Sequence, residues 1–391
     1  MPSPFEFFAP QRIVFGWGRR AEIGEAAQGV GRRAWVIVGS RTLRRAGVVD
    51  ELCKSLAAAG IAGEFLASID REPLTTDVDE AVAAVKSAGV RNGDFLLAVG
   101  GGSAIDLAKG VAALAPQSET AGVRDYLEGV GRGLKLAADP LPILAMPTTG
   151  GTGTEATKNA VISSYDPLFK KSLRDARLVP RTVLVDPELS VSLPPATTAW
   201  TGMDAITQLI EAYITKNARP LPQSLCMEGL RMALPAVERA VRDGADREAR
   251  EAMAQAALFS GMALANSGLG LAHGVAAALG VHCRVPHGLA CAVMLPAALA
   301  ANREVAQAPL ARLARYALDV RTDDDAEATA ALVDYVGGLC RRLEVPSRLG
   351  ALGVAKDQLP ALVSGSHGNS LNGNPRPIDD EELTGILENM L

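Results

Sequence analysis

Among the side chains able to hold a cation or move a proton, a carboxylate and two imidazoles stand out. Asp204 lies in Thr201-Gly202-Met203-Asp204-Ala205-Ile206-Thr207-Gln208, His273 in Leu269-Gly270-Leu271-Ala272-His273-Gly274-Val275, and His287 in Val285-Pro286-His287-Gly288. Asp204 and Gln208 are four residues apart, so in a helix they share a face. A carboxylate with two imidazoles suits a divalent metal such as Fe2+ or Zn2+. The two histidines are too far apart in sequence to form a local metal motif, and buried or helix-capping histidines satisfy the same pattern.

Two glycine-rich segments offer a different chemistry. Gly100-Gly101-Gly102-Ser103-Ala104-Ile105-Asp106-Leu107-Ala108-Lys109 directly follows the apolar run Phe95–Val99. Glycines at a strand-to-helix turn admit a phosphate to the backbone, and the helix start supplies free N–H groups and the positive end of its dipole. The spacing matches neither G-x-G-x-x-G nor a Walker A loop, and a tight turn without ligand has the same composition. The second segment runs from Met146 to Asn159 and contains Thr148, Thr149, Gly150, Gly151, Thr152, Gly153, Thr154 and Thr157. After a strand, these residues bring hydroxyls and close backbone approach to the ligand side of a parallel sheet. Two such loops in one α/β half can share a ligand.

The elements that must carry these groups change character near residue 190. Before it, short β-branched or apolar runs (34–38, 95–99, 142–146, 182–185) alternate with Ala-rich helical segments (48–59, 105–114), the pattern of a parallel α/β sheet. After Leu193-Pro194-Pro195 come long helical stretches over 198–215, 225–242 and 247–265. The 391 residues exceed what one core usually organises, so two domains are expected: an α/β domain over 1–191 and an all-helical domain over 192–391. The acidic run Asp323–Asp325 reads as a solvated loop.

Composition narrows the function classes. With 39 basic against 44 acidic residues, scattered rather than massed, the chain lacks the footprint of a nucleic-acid or anionic-membrane binder. No uncharged apolar run approaches the roughly 20 residues needed to span a bilayer. Five cysteines without a C-x-x-C pair fit a reducing compartment, and the start lacks the layout of a signal peptide, so a cytoplasmic protein is expected. The apolar segment Phe5–Phe8 is a candidate for pairing across a homodimer.

Together the motifs identify a resemblance. The Gly16–Gly18 turn, the GGGSAIDLAK loop, PTTGGTGTEAT, Asp186-Pro187-Glu188-Leu189, TGMDA, PHG and the closing Gly373-Asn374-Pro375-Arg376-Pro377, in this order and over nearly the whole chain, resemble the iron-containing (group III) alcohol dehydrogenase family. The resemblance implies a dehydroquinate synthase-like fold: an N-terminal α/β dinucleotide-binding domain with a parallel sheet, an all-α C-terminal domain, and a cleft where nicotinamide meets substrate. It implies NAD(P) as cofactor and small alcohols or aldehydes as substrates. It further implies that Gly100, Gly101, Gly102 and Ser103 contact the pyrophosphate, that Thr148, Thr149, Thr152 and Thr157 line the cofactor, and that Lys171 reaches it.

The departures from the family are as informative. Its metal set is one Asp and three His, and here Gln208 stands at the first His, leaving Asp204, Gln208, His273 and His287 as the matching set. An amide oxygen is a poorer donor than imidazole for Fe or Zn. A further family histidine, often assigned to proton relay, corresponds to Ala277; His282, between the matching histidines, has no family role. Two mechanisms follow. A weakly held Fe2+ or Zn2+ polarises the substrate oxygen, or His273 or His287 serves as general acid in a metal-independent reductase with Gln208 as a neutral donor. A catalytically degenerate nucleotide-binding protein and a non-redox use of NAD, as in the distantly related dehydroquinate synthases, also fit. After the second strand stands Gly39-Ser40-Arg41, without the carboxylate that would hold a ribose 2′-OH. Ser40 with Arg41 there favours NADP or dual use.

Overall fold

The computed structural model describes residues 4–39, 43, 45 and 47–391. The chain divides into two compact units. One comprises Phe8–Thr149 and Thr154–Ser190; the other comprises Val191–Leu391, the chain start up to Phe7, and the short segment Gly150–Gly153.

The first unit is built on six parallel strands. These are β1 (Arg12–Phe15), β2 (Arg33–Val38), β3 (Ala62–Ser68), β4 (Asp94–Gly100), β5 (Ile143–Pro147) and β8 (Thr182–Val185), in the order β1-β8-β5-β4-β2-β3. Alternation along the central strands fills both faces. Ala34, Val36 and Val38 of β2 and Phe95, Leu97 and Val99 of β4 enter one apolar core, while Trp35, Ile37, Leu96 and Ala98 enter the other. Helices α1 (Ile23–Gln28) and α2 (Val48–Ala58) cover the first face, and α3 (Thr75–Ser87) and α4 (Gly102–Leu114) cover the second. Because β2 and β4 are neighbours whose following helices lie on opposite faces, their carboxyl ends form a topological switch point, the place where such sheets bind dinucleotides. Arg33 and Asp94 pair at the opposite ends of these strands, at 2.6 Å and buried. An antiparallel hairpin, β6 (Asn159–Tyr165) with β7 (Leu168–Arg174), lies outside the main sheet.

The second unit is helical: α5 (Pro195–Ile214), α6 (Pro220–Arg242), α7 (Arg247–Ser267), α8 (Leu271–Cys283), α9 (His287–Asn302), α10 (Gln307–Leu318), α11 (Asp325–Arg342) and three shorter helices, α12 (Leu359–Ser366), α13 (Asn369–Asn372) and α14 (Asp380–Glu388). One continuous apolar core joins them, from Met203, Ile206 and Leu209 of α5 to Leu383 and Leu387 of α14. Helix α6 begins five residues before the expected Leu225, because prolines fit the first turn of a helix, whose N–H groups lack intrahelical partners. Asp323–Asp325 is not a plain loop: the Asp324 carboxylate accepts from the Ala326 and Glu327 N–H groups and caps α11, and Asp325 pairs with Arg315 at 2.8 Å. Phe5–Phe8 forms no strand, and the Lys158 ammonium lies over the Phe8 ring at 4.6 Å. No single helix among the described residues is long and apolar enough to cross a membrane.

Candidate functional site

Three helices bring the metal-type donors together. Helix α5 projects Asp204, Gln208 and Glu211 from one buried face, at spacings of four and three residues. Helix α8 carries His273 in its first turn, and α9 opens on His287, with Cys291 one turn later on the same side. The ligand atoms of Asp204, His273, His287 and Cys291 all lie within 4.8 Å of one another. His287 reaches this position because Gly288 lets the start of α9 close on α5; a Cβ there would stand 2.6 Å from the Trp200 carbonyl oxygen.

Hydrogen bonds fix the cluster. Glu211 accepts from the Ala272 N–H at 2.6 Å and meets His273 Nδ1 at 2.7 Å, which turns Nε2 toward Asp204 Oδ1 at 3.2 Å. A carboxylate behind one ring nitrogen sets the tautomer and leaves the other for a ligand, the arrangement common at metal-bound histidines. The imidazoles of His273 and His287 meet edge to face, 5.6 Å apart. Burial pushes the Asp204 carboxyl up, but His287 and His273 outweigh it and hold it below the usual carboxylate range. Burial also pushes the Cys291 thiol up, to about 12. At His273 burial works against the charged ring, yet its anionic surroundings hold it well above the ordinary imidazole value. With the thiol protonated, Asp204 and Glu211 carry that stabilisation.

Gln208 does not offer its oxygen to the cluster. Its Nε2–H donates to the Thr152 carbonyl at 3.1 Å and to Asp204 Oδ1 at 3.2 Å, while Oε1 accepts from the Ser260 hydroxyl at 2.7 Å. Reversing the amide would set Oε1 against a carbonyl and a carboxylate, both acceptors only, so this orientation is fixed by its partners. In this geometry Gln208 braces Asp204 instead of presenting its oxygen, and Cys291, which sequence reasoning passed over, stands in the donor group. The available signal was the four-residue spacing of His287 and Cys291. His282 lies away from the cluster, its Nε2 packed beside Gly365 of α12, and Ala277 is half-buried on α8.

The phosphate-type loops meet at the carboxyl ends of β4 and β5. Gly100 pairs in register with Pro147, the Thr148 N–H donates to the Gly100 carbonyl at 3.1 Å, and the Thr149 side chain lies beside Gly101. Helix α4 starts at Gly102 without a side-chain cap and without an acidic residue in its first turn, which leaves the N–H groups around Gly102 and Ser103 and the positive dipole end facing the loop. Ser40 and Arg41 lie outside the described residues. Thr152 belongs to the helical unit, where its carbonyl braces Gln208. Thr157 is anchored from below. Its buried hydroxyl accepts from Lys109 Nζ at 2.8 Å and donates to the Thr154 carbonyl at 3.1 Å, so its bonding is spent on the loop's own underside. Lys171 stands on β7 opposite Ile162, half-buried, beside Lys170, which pairs with Glu72.

Comparison with known proteins agrees with this architecture. The family model described as iron-containing alcohol dehydrogenase matches residues 10–187, and that of the Fe-containing alcohol dehydrogenase family, C-terminal, matches 198–391. Lactaldehyde reductase of Escherichia coli (strain K12) is 33% identical over 376 residues, covering 95% of this chain and 96% of its own. NAD-dependent methanol dehydrogenase of Bacillus methanolicus is 30% identical over 388 residues, covering 98% and 99%. A crystal structure of 1,3-propanediol oxidoreductase superposes with a TM-score of 0.92 at 30% identity, covering 100% of both chains. With a paired glycine–threonine loop at the switch point of one unit and a buried donor cluster in the other, and with family models matching both units, the chain belongs to the iron-containing alcohol dehydrogenase family, NAD(P)-dependent oxidoreductases acting on CH–OH groups.

Proposed function

We propose that this chain interconverts a small primary alcohol or diol and its aldehyde, with NADP or either dinucleotide as cofactor and a divalent cation at the Asp204 cluster. The observation that carries the reading is the convergence of four donors, the buried Asp204, His273 and Cys291 and the half-buried His287, within 4.8 Å. A carboxylate, two imidazoles and a thiol suit a cation of the iron or zinc class. When bound, such a cation polarises the substrate oxygen as a Lewis acid.

The remaining roles fall to the chain itself. When bound, a reduced nicotinamide would supply from C4 the hydride for the carbonyl carbon, with a proton added to the oxygen, so that the aldehyde would give the alcohol and the oxidised dinucleotide. Glu211 fixes His273 through Nδ1, and Gln208 and His273 hold Asp204 by hydrogen bonds to Oδ1. Thr148 and Thr149, beside the Gly100–Ser103 turn, form the wall offered to the pyrophosphate, and Lys171 on the neighbouring hairpin is the basic group assigned to the cofactor. The preference for NADP rests on Ser40 and Arg41 in place of a carboxylate. The five cysteines are all free thiols, which supports a reducing, cytoplasmic setting. Phe5, 42% exposed, together with the outer edge of β1 supports pairing of two copies.

The test is oxidation of NADPH and NADH against a panel of small aldehydes, before and after chelation, with metal content measured on the same protein. Stoichiometric cation and chelator-sensitive turnover are expected. Turnover that persists in metal-free protein would move the chemistry to His273 and His287 as general acids, and cofactor binding without turnover in either state would leave a nucleotide-binding protein without this activity.

A further inference from the structure

We propose that Cys291 is the fourth protein ligand of the metal centre, so that Asp204, His273, His287 and the Cys291 thiolate hold a thiophilic divalent cation of the zinc class while Gln208 stands outside the ligand set. The inference rests on the reading that this cluster binds a cation, and adds which residues and which class of ion.

Zinc bonds of about 2.0–2.1 Å to nitrogen or oxygen and about 2.3 Å to sulfur place the ligand atoms of a tetrahedral site roughly 3.3–3.8 Å from one another. Cys291 Sγ lies 3.8 Å from His287 Nε2, and Asp204 Oδ1 lies 3.2 Å from His273 Nε2. These two separations stand close to the spacing a bound ion demands, and all four atoms lie within 4.8 Å of one another. The helix sets this geometry, because His287 and Cys291 follow each other by one turn of α9.

Gln208 is turned away from the ligand role. A ligand there would have to present Oε1, yet Oε1 faces the Ser260 hydroxyl and the amide turns its N–H groups to Thr152 and Asp204. An N–H group cannot ligate a cation. Thiolate ligation in turn selects zinc-like ions over hard, oxygen-preferring ones.

The experiment uses the full chain, stripped with chelator and reloaded with one equivalent of Zn2+ for X-ray absorption at the zinc edge, or of Co2+ for near-ultraviolet spectroscopy. Expected are a sulfur shell at about 2.3 Å beside the nitrogen and oxygen shell, and a thiolate-to-cobalt charge-transfer band. Cys291→Ser removes both and weakens zinc binding at least about tenfold, the lower end of what disturbing a metal's surroundings costs. Gln208→Ala keeps both signals. A wild-type spectrum with nitrogen and oxygen alone, a band that survives in Cys291→Ser because another thiol such as Cys53 supplies it, or failure to take up one equivalent of cation overturns the assignment. The wild-type spectrum decides even if Cys291→Ser does not fold. Missing sulfur in protein whose aldehyde reduction is chelator-sensitive overturns the ligand assignment and leaves the proposed activity standing; a sulfur shell in protein that reduces no aldehyde does the reverse.

Discussion

Glu211 touches no proposed cation, yet it holds the ring of His273 by Nδ1 and the first turn of α8 by the Ala272 N–H. Glu211→Gln keeps the shape and loses the charge that fixes the tautomer. Zinc affinity of the stripped protein is expected to fall roughly 10- to 100-fold, with helicity retained by circular dichroism; an unchanged titration would show that the ring is oriented without it. Asp204, His273 and His287 stood out in the sequence because they lie in the TGMDA, LAHG and PHG segments and because the chain has only four histidines. Cys291 did not, since a lone thiol in an Ala-rich helix reads as core. The part played by Gln208 depends on Ser260 and on the Thr152 carbonyl, partners 52 and 56 residues away, which no local spacing reveals.

At the scale of elements, the contact of α9 with α5 decides whether the donors meet. Gly288→Ala would place a Cβ 2.6 Å from a backbone carbonyl that cannot rotate aside, so α9 must shift as a body. The expected cost is about 1–3 kcal/mol of stability, the range for overpacking, read by denaturant unfolding together with loss of cation binding. A variant as stable as the parent and still loaded would mean that the helices part more easily than their packing implies. The strands most legible in sequence were those buried on both faces, such as β2 and β4, whose apolar runs admit few other readings. Edge strand β3 and the hairpin β6–β7 escaped because exposed faces carry polar residues that blur the alternation. Helices α8 and α9 lacked an amphipathic stripe, being apolar almost all round, so their bounds come from Gly270 and Pro286 rather than from periodicity.

Across the whole molecule, stability depends on a charged knot beneath the threonine loop. Lys109, fully buried, donates to the carbonyls of Thr154, Thr157 and Asn159 and to the Thr157 hydroxyl. Burial pushes the nearby Glu155 carboxyl up to about 7, with Lys109 offsetting part of the effect. Below the ordinary glutamate range both folded and unfolded chains hold this proton, and the contribution to stability is fully present. As pH rises toward 7 the unfolded chain releases the proton while the folded one keeps it, so stability falls by up to about 3 kcal/mol. Glu155→Gln should flatten the difference in unfolding free energy between pH 5 and pH 8, and an undiminished difference would assign the pH dependence to other groups.

The assignment of Gly150–Gly153 to the helical unit bears on inheritance. Within that unit Gly153 and Gly261 pack backbone to backbone, Gly151 lies against Thr201, and Thr152 supplies the carbonyl that orients Gln208. A recombination crossover near residue 190, natural or engineered, would therefore not exchange one module for another. The helical half would receive a foreign four-residue strap from the other parent, and the support behind its donor cluster would travel with the dinucleotide-binding half of the gene. Exchange between relatives should succeed only where that strap and the residues it braces come from matching lineages.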